Sequence, residues 1–145
     1  MIKAEKNANE YLRTYFELNA QYEAYAKSLG VSYSTLLALR IILEHDGECT
    51  QRTICEYTFF PKQTVNAIVT GLLRHGAIKL VELDSDRRQK VIHFTDEGRA
   101  FAFDVIQRIK NAESKAMESL DEDQSKAMLT AAKIYVARLR GFLLE

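Results

Sequence analysis

The sequence predicts a mainly α chain with a single β-hairpin set among its helices, and three observations carry that expectation. One proline and six glycines in 145 residues leave few places where a helix must stop. Apolar residues recur at three- and four-residue spacing over long stretches, including Ala8 to Leu29, Val65 to Leu73 and Val105 to Leu120. Residues 77–94 depart from that period, with two β-rich runs around a polar turn. A length of 145 residues, 47% hydrophobic and 28% charged, suits one domain (residues 1–145) with an apolar core.

The first helix is expected over residues 8–29, with a stripe of Ala8, Tyr11, Leu12, Tyr15, Phe16, Tyr22, Tyr25, Ala26 and Leu29. Such a stripe serves a core or a helix–helix contact, although a tyrosine also offers a small ligand a flat apolar face and a hydroxyl. Gly30 is a natural stop. A second helix starts near Ser32 or Ser34, either of which suits an N-cap, and runs through Leu36–Leu43 towards Gly47. It is apolar almost all round, so it should be the most buried helix.

Thr50 caps a short third helix through Tyr57, with Ile54 and Tyr57 expected to face inward. Thr58-Phe59-Phe60-Pro61 breaks it, because a proline suits the start of a helix and not its interior. The fourth helix is expected from Lys62 to Arg74, with Gly76 beyond its end. Val65, Ile68, Val69, Leu72 and Leu73 form its buried stripe. The hairpin pairs residues 77–83 with 91–94 across a loop, 84–90, that carries Arg87, Arg88 and Lys90.

Thr95 then caps a long helix whose first turn holds Asp96 and Glu97, favourable at the positive end of the helix dipole. Its stripe is Phe101 or Ala102, then Val105, Ile106, Ile109, Ala112, Ala116, Met117 and Leu120. The last helix opens on Asp121 and Gln124 at capping-box spacing, with Met128, Ala131, Ala132, Tyr135, Leu139, Phe142 and Leu143 on one face. Apolar residues running almost to the last position would be sticky in a monomer, and a dimer interface built from the first helix and the last two would cover them.

The chemistry concentrates in residues 61–94. Opposite its apolar stripe the fourth helix carries Lys62, Gln63, Asn66, Ala67, Thr70, Gly71 and Arg74, with no acid among them. A solubilising face normally mixes glutamate with lysine. Asn and Gln bond adenine edges in two places, Thr reaches a base or a phosphate, and Lys meets guanine or phosphate. Gly71 costs about 1 kcal/mol against alanine in a helix interior; a close approach to another surface, or a tight helix crossing, would explain it. The arginines of the hairpin loop suit a minor groove, whose negative potential draws in a guanidinium. Net charge is zero, yet residues 61–90 hold six basic residues against three acidic ones, so the positive charge gathers on this stretch.

Pro61-Lys62-Gln63-Thr64-Val65-Asn66, Asp86-Arg87-Arg88-Gln89-Lys90 and Thr95-Asp96-Glu97-Gly98-Arg99 together resemble the MarR family of winged helix-turn-helix transcription regulators. The resemblance implies a winged helix-turn-helix lobe over residues 32–95, flanked by dimerisation helices, 1–30 and 96–145. It implies a homodimeric DNA-binding regulator, most simply a repressor, acting on a near-palindromic stretch of double-stranded DNA. Lys62, Gln63, Thr64, Asn66 and Thr70 would sit on or beside the helix in the major groove. Arg88, with Arg87 or Lys90, would enter the minor groove or grip phosphate, and Asp86 would orient the wing. The family also implies a very short strand at Cys49-Thr50 beside the hairpin. It further implies a cleft for a small aromatic anionic effector, for which Tyr15, Tyr22 and Ile42 are candidates.

Other chemistries find little support. Cys49 and Cys55 and the scattered His45, His75 and His93 have no zinc-ligand spacing. There is no phosphate-binding glycine loop, Gly-x-Ser-x-Gly elbow or His-Glu-x-x-His, so neither an enzyme nor a cofactor is expected. No run approaches a membrane span and the first residues do not read as a signal peptide, so a cytoplasmic location is expected. Two rival readings stay open: a winged-helix module that binds protein and not DNA, and a redox-responsive regulator. In the second, Cys49 would be activated by the helix that follows it, although oxidant-sensing members of the family carry their reactive cysteine in the first helix, where this chain has none.

Overall fold

The computed structural model describes residues 2–144 and divides the chain into two compact units, one ending at Ile106 and the other starting at Gln107. The first unit contains α1 (Lys3–Ser28), α2 (Tyr33–Glu44), α3 (Gln51–Thr58), α4 (Lys62–Arg74), β1 (Ile78–Glu82) and β2 (Lys90–Phe94). It also holds the start of α5 (Asp96–Glu118); the rest of α5 and α6 (Glu122–Leu144) make up the second unit.

The core of the first unit is built around α2, which buries Leu36, Ala38, Leu39, Ile41 and Ile42 and touches α1, α3 and α4. Ile54 of α3, Val65 and Val69 of α4, Ile92 of β2 and Val105 of α5 are fully buried with it. Each of these aliphatic side chains contributes roughly 1.5–3 kcal/mol by leaving water. Ser32 caps α2, its hydroxyl accepting from the Thr35 N–H at 3.1 Å. Thr50 and Thr53 cap α3 reciprocally, each hydroxyl accepting from the other residue's N–H.

The helix-turn-helix corner is held by Thr58, whose hydroxyl donates to the Ile54 carbonyl at 2.6 Å and accepts from the Phe60 N–H at 3.2 Å. Between them Phe59 turns left-handed, φ 59°, and is 90% exposed. Pro61 follows as the N-cap of α4.

β1 and β2 pair antiparallel from Ile78↔Phe94 to Glu82↔Lys90. Thr95 ties their base to α5. Its N–H donates to the Ala77 carbonyl at 3.0 Å, and its hydroxyl donates to the Gly76 carbonyl at 2.7 Å while accepting from the Gly98 N–H at 3.1 Å. Gly98 is required there, because a Cβ would run into the Ala77 carbonyl oxygen. The Thr-x-x-Gly of the sequence is therefore a cap and a close approach in one device.

Several expectations change. Tyr57 is 57% exposed, because only one face of the short α3 meets its neighbours and Ile54 and Thr58 take it; the Tyr57 ring lies 4.5 Å from His45. Leu73 is 38% exposed at the last turn of α4, beyond the reach of the core. Lys90 belongs to β2, opposite Glu82, and not to the loop. Cys49-Thr50 forms no strand; one hydrogen bond, from the Ile92 N–H to the Cys49 carbonyl at 2.7 Å, stands in its place. Ala102 and not Phe101 takes the inward position on α5. Ala112, Ala116 and Met117 stay exposed. No Cβ on Gly71 would meet anything within 4 Å, so a tight crossing inside the chain does not account for that glycine.

In the second unit, Asp121 and Gln124 close a reciprocal capping box at 3.0 and 2.8 Å, and α6 has no buried residue. No single helix among the described residues is long and apolar enough to cross a membrane.

Candidate nucleic-acid interface

The acid-free face of α4 is open to solvent. Val65, Ile68 and Val69 hold the helix to the core, which leaves Lys62, Gln63, Asn66, Ala67, Thr70 and Arg74 exposed on the other side. Pro61 provides no N–H and no side-chain cap, so the N-terminal amides of α4 are free of a side-chain partner. Thr64 is half-buried and faces sideways, into a depression of about 550 Å³ shared with Ser32, Ser34 and Thr35 at the start of α2.

Arg87 and Arg88 are exposed in the loop between the strands. The Asp86 carboxylate accepts the Arg88 backbone N–H at 3.0 Å, and the Asp86 carbonyl accepts from the Gln89 N–H at 3.1 Å. Leu83 N–H closes the loop onto the Gln89 carbonyl at 3.3 Å. These bonds fold the backbone back on itself and leave both guanidinium groups pointing to water, without an ion-pair partner among the described residues.

The helix face and the loop meet through α3. A groove of about 690 Å³ runs between α3 and α4, lined by Gln51, Arg52, Cys55, Glu56, Lys62, Gln63 and Asn66. A second, of about 400 Å³, joins Thr50, Gln51 and Arg52 to Leu80, Arg88, Gln89 and Lys90 of the wing. Gln51 and Arg52 belong to both, and sequence reasoning missed them. The available signal was a polar pair directly after the Thr50 cap, where a helix end presents its amides. Arg52 also carries Glu56 with it, Nε to Oε1 at 2.8 Å, so the acid nearest to this surface is paired.

A separate groove of about 840 Å³ lies between α1 and α2 and reaches the helix-turn-helix corner. Tyr15, Lys27, Tyr33 and Phe60 are among its walls. Of the three expected cleft residues only Tyr15 lines it. Tyr22 instead stacks on Tyr33, ring centroids 5.3 Å apart and 11° from parallel, and Ile42 is fully buried in the core.

Cys49 does not match the activated thiol expected at a helix start. It is fully buried, and burial pushes its thiol up to about 11, so it stays protonated at neutral pH. Desolvation outweighs the helix dipole, which acts over only one turn. Cys55 is partly exposed in the groove between α3 and α4.

Known proteins point the same way as this geometry. The MarR family model matches residues 29–89. No curated protein matches the chain. Among solved structures, the chain is similar to NMB1585, a MarR family regulator from Neisseria meningitidis, with a TM-score of 0.73 and 21% identity over 92% of this chain and 94% of that one. It is similar to the S. aureus MepR–DNA complex, TM-score 0.76, 16% identity, over 91% and 96%. It is similar also to Bordetella bronchiseptica BpsR, whose DNA binding is regulated by 6-hydroxynicotinic acid, TM-score 0.75, 15% identity, over 94% and 96%. At such identities the likeness speaks for a shared fold. With its winged helix-turn-helix in place, the chain shares the fold of these structures, and its residues 29–89 match the MarR family model.

Proposed function

We propose that this protein is a sequence-specific DNA-binding transcription regulator, a repressor acting as a homodimer on a near-palindromic operator. The observation that carries the reading is the exposed, acid-free face of α4 with two unpaired arginines on the neighbouring wing. Lys62, Gln63, Asn66 and Thr70 read base edges and phosphates in the major groove. Arg88, with Arg87 beside it, enters the adjoining minor groove, where the electrostatic potential favours a guanidinium. Asp86 orients the wing through the Arg88 backbone and does not touch DNA. Gln51 and Arg52 sit between the two reading elements and suit phosphate contacts.

Homodimerisation is supported by the apolar surface one chain leaves uncovered. Tyr11, Leu12, Tyr15 and Phe16 of α1 are exposed, as are Ile134, Val136, Phe142 and Leu143 of α6. So much exposed apolar surface on a small protein calls for a partner. Two-fold symmetry would set two α4 helices about one DNA turn apart, ~34–36 Å.

Selection of bound sequences from a random pool of duplexes tests the whole reading. The expected result is a near-palindrome with two half-sites one turn apart. No enrichment would refute DNA reading, and a single unrepeated half-site would refute the dimer.

The groove between α1 and α2 offers aromatic walls and the Lys27 ammonium, a combination suited to a small aromatic anion. Such a ligand releases DNA only if it favours one arrangement of the helices over another. Titrating aromatic carboxylates into the operator complex tests this; release that survives Lys27→Met would place the site elsewhere.

A further inference from the structure

Three separate stretches of chain meet at the base of the wing: the α2–α3 turn, the end of α4 with the start of β1, and the end of β2 with the start of α5. Backbone and hydroxyl bonds join them, from the Ile92 N–H to the Cys49 carbonyl and from Thr95 to Gly76 and Ala77. One side-chain link spans the first stretch and the last. Arg99 of α5 grips Asp46 of the α2–α3 turn with both guanidinium nitrogens, Nη1 to Oδ2 at 2.5 Å and Nη2 to Oδ1 at 2.9 Å. The guanidinium carbon also lies 5.8 Å from the ring centre of Phe94, the last residue of β2.

We propose that the Asp46–Arg99 pair is a positioning device for DNA binding, fixing the angle at which the wing leaves the helix-turn-helix so that Arg88 meets the duplex in register with α4. This rests on the DNA-reading function proposed above.

Three considerations support it. The first is leverage. Arg88 stands six residues from Phe94, an arm of about 20 Å at ~3.3 Å per residue, so a tilt of about 10° at the base moves the tip by roughly 3–4 Å. That displacement is enough to lose a hydrogen bond or a groove contact.

The second is the form of the link. A two-pronged guanidinium–carboxylate fork fixes direction as well as distance, which a single-point contact or a lysine does not. The Arg99 guanidinium, bonded to the Asp46 carboxylate, holds that carboxyl below its usual range, so the link is charged on both sides. The third is exposure. Both side chains remain substantially open to water, at 47% and 38%, so the pair adds little to folding stability. A role in geometry explains the fork better than a role in holding the fold.

The test is a double-mutant cycle on the full-length protein, read as affinity for the duplex enriched by selection. Arg88→Ala, Arg99→Met and the double variant are compared with wild type, with thermal melting of each as a control. Arg99→Met should weaken binding about threefold or more with little change in melting. In that background the loss caused by Arg88→Ala should shrink by a similar factor, because a wing already out of register has less to lose. Asp46→Asn, which cuts the same link from the other end, should repeat the result, and Arg99→Lys should fall in between.

Unchanged affinity in Arg99→Met and Asp46→Asn, or losses that simply multiply with that of Arg88→Ala, would overturn the positioning role while leaving DNA reading intact. If wild type itself shows no preference for any duplex, DNA reading falls and the positioning role falls with it. If Arg99→Met does not fold, the cycle run with Asp46→Asn decides by the same criteria.

Discussion

At the scale of single residues the winged lobe carries one conspicuous local conflict. Phe59 adopts a left-handed backbone, φ 59°, with its ring almost wholly in water. That conformation costs an L-residue about 1–2 kcal/mol, and no burial offsets it. Glycine would relieve the strain but would enter folding with a more flexible unfolded chain, which returns part of the gain. Phe59→Gly should therefore raise stability by up to about 1 kcal/mol, a few degrees in Tm. A lower melting temperature in thermal denaturation would mean that the ring has a partner in the working protein. Cys49 illustrates the opposite lesson, a residue whose neighbours in sequence mislead. Its place before a helix suggested an activated thiol, but packing removed it from water and reversed the shift.

Elements decide how the reading surface is presented. α4 works because its apolar period points Val65, Ile68 and Val69 inward and by geometry turns Gln63, Asn66 and Thr70 outward. Asn66→Ala should relax base preference at one position in each half-site by roughly 1–3 kcal/mol, measured by repeating the duplex selection with the variant. An unaltered preference at every position would take Asn66 out of the interface.

This surface was legible in the sequence because helix periodicity and side-chain type are local properties. The same holds for the Thr50 cap, the Asp121–Gln124 box and the hairpin, each signalled within a few residues. What remained hidden depended on partners distant in sequence. Tyr57 and Leu73 satisfy the helical period, yet both stay exposed, Tyr57 with the His45 ring against it. Ile42, a candidate for the cleft, is sealed by the core, while Tyr33 and Phe60 line the groove without a distinguishing pattern. The Asp46–Arg99 fork joins residues 53 positions apart, and neither carries a local mark of the other. Thr95 was legible as a helix cap and Gly98 only through family likeness; the fold alone reveals the Ala77 carbonyl that both of them meet.

For the molecule as a whole, zero net charge conceals a division of labour. Basic residues outnumber acidic ones in the segment that carries α4 and the wing, while the helices at either end leave apolar side chains exposed. The first feature fits a polyanion and the second a copy of the same chain. Association with DNA through such a surface releases counterions from the duplex, so affinity must fall as salt rises. The most direct measurement is the slope of log affinity against log salt concentration for wild type and Arg88→Ala on the selected duplex. The account predicts a steep negative slope for wild type and one shallower by about 1 for the variant. A wild-type affinity indifferent to salt, or identical slopes for the two proteins, would contradict it.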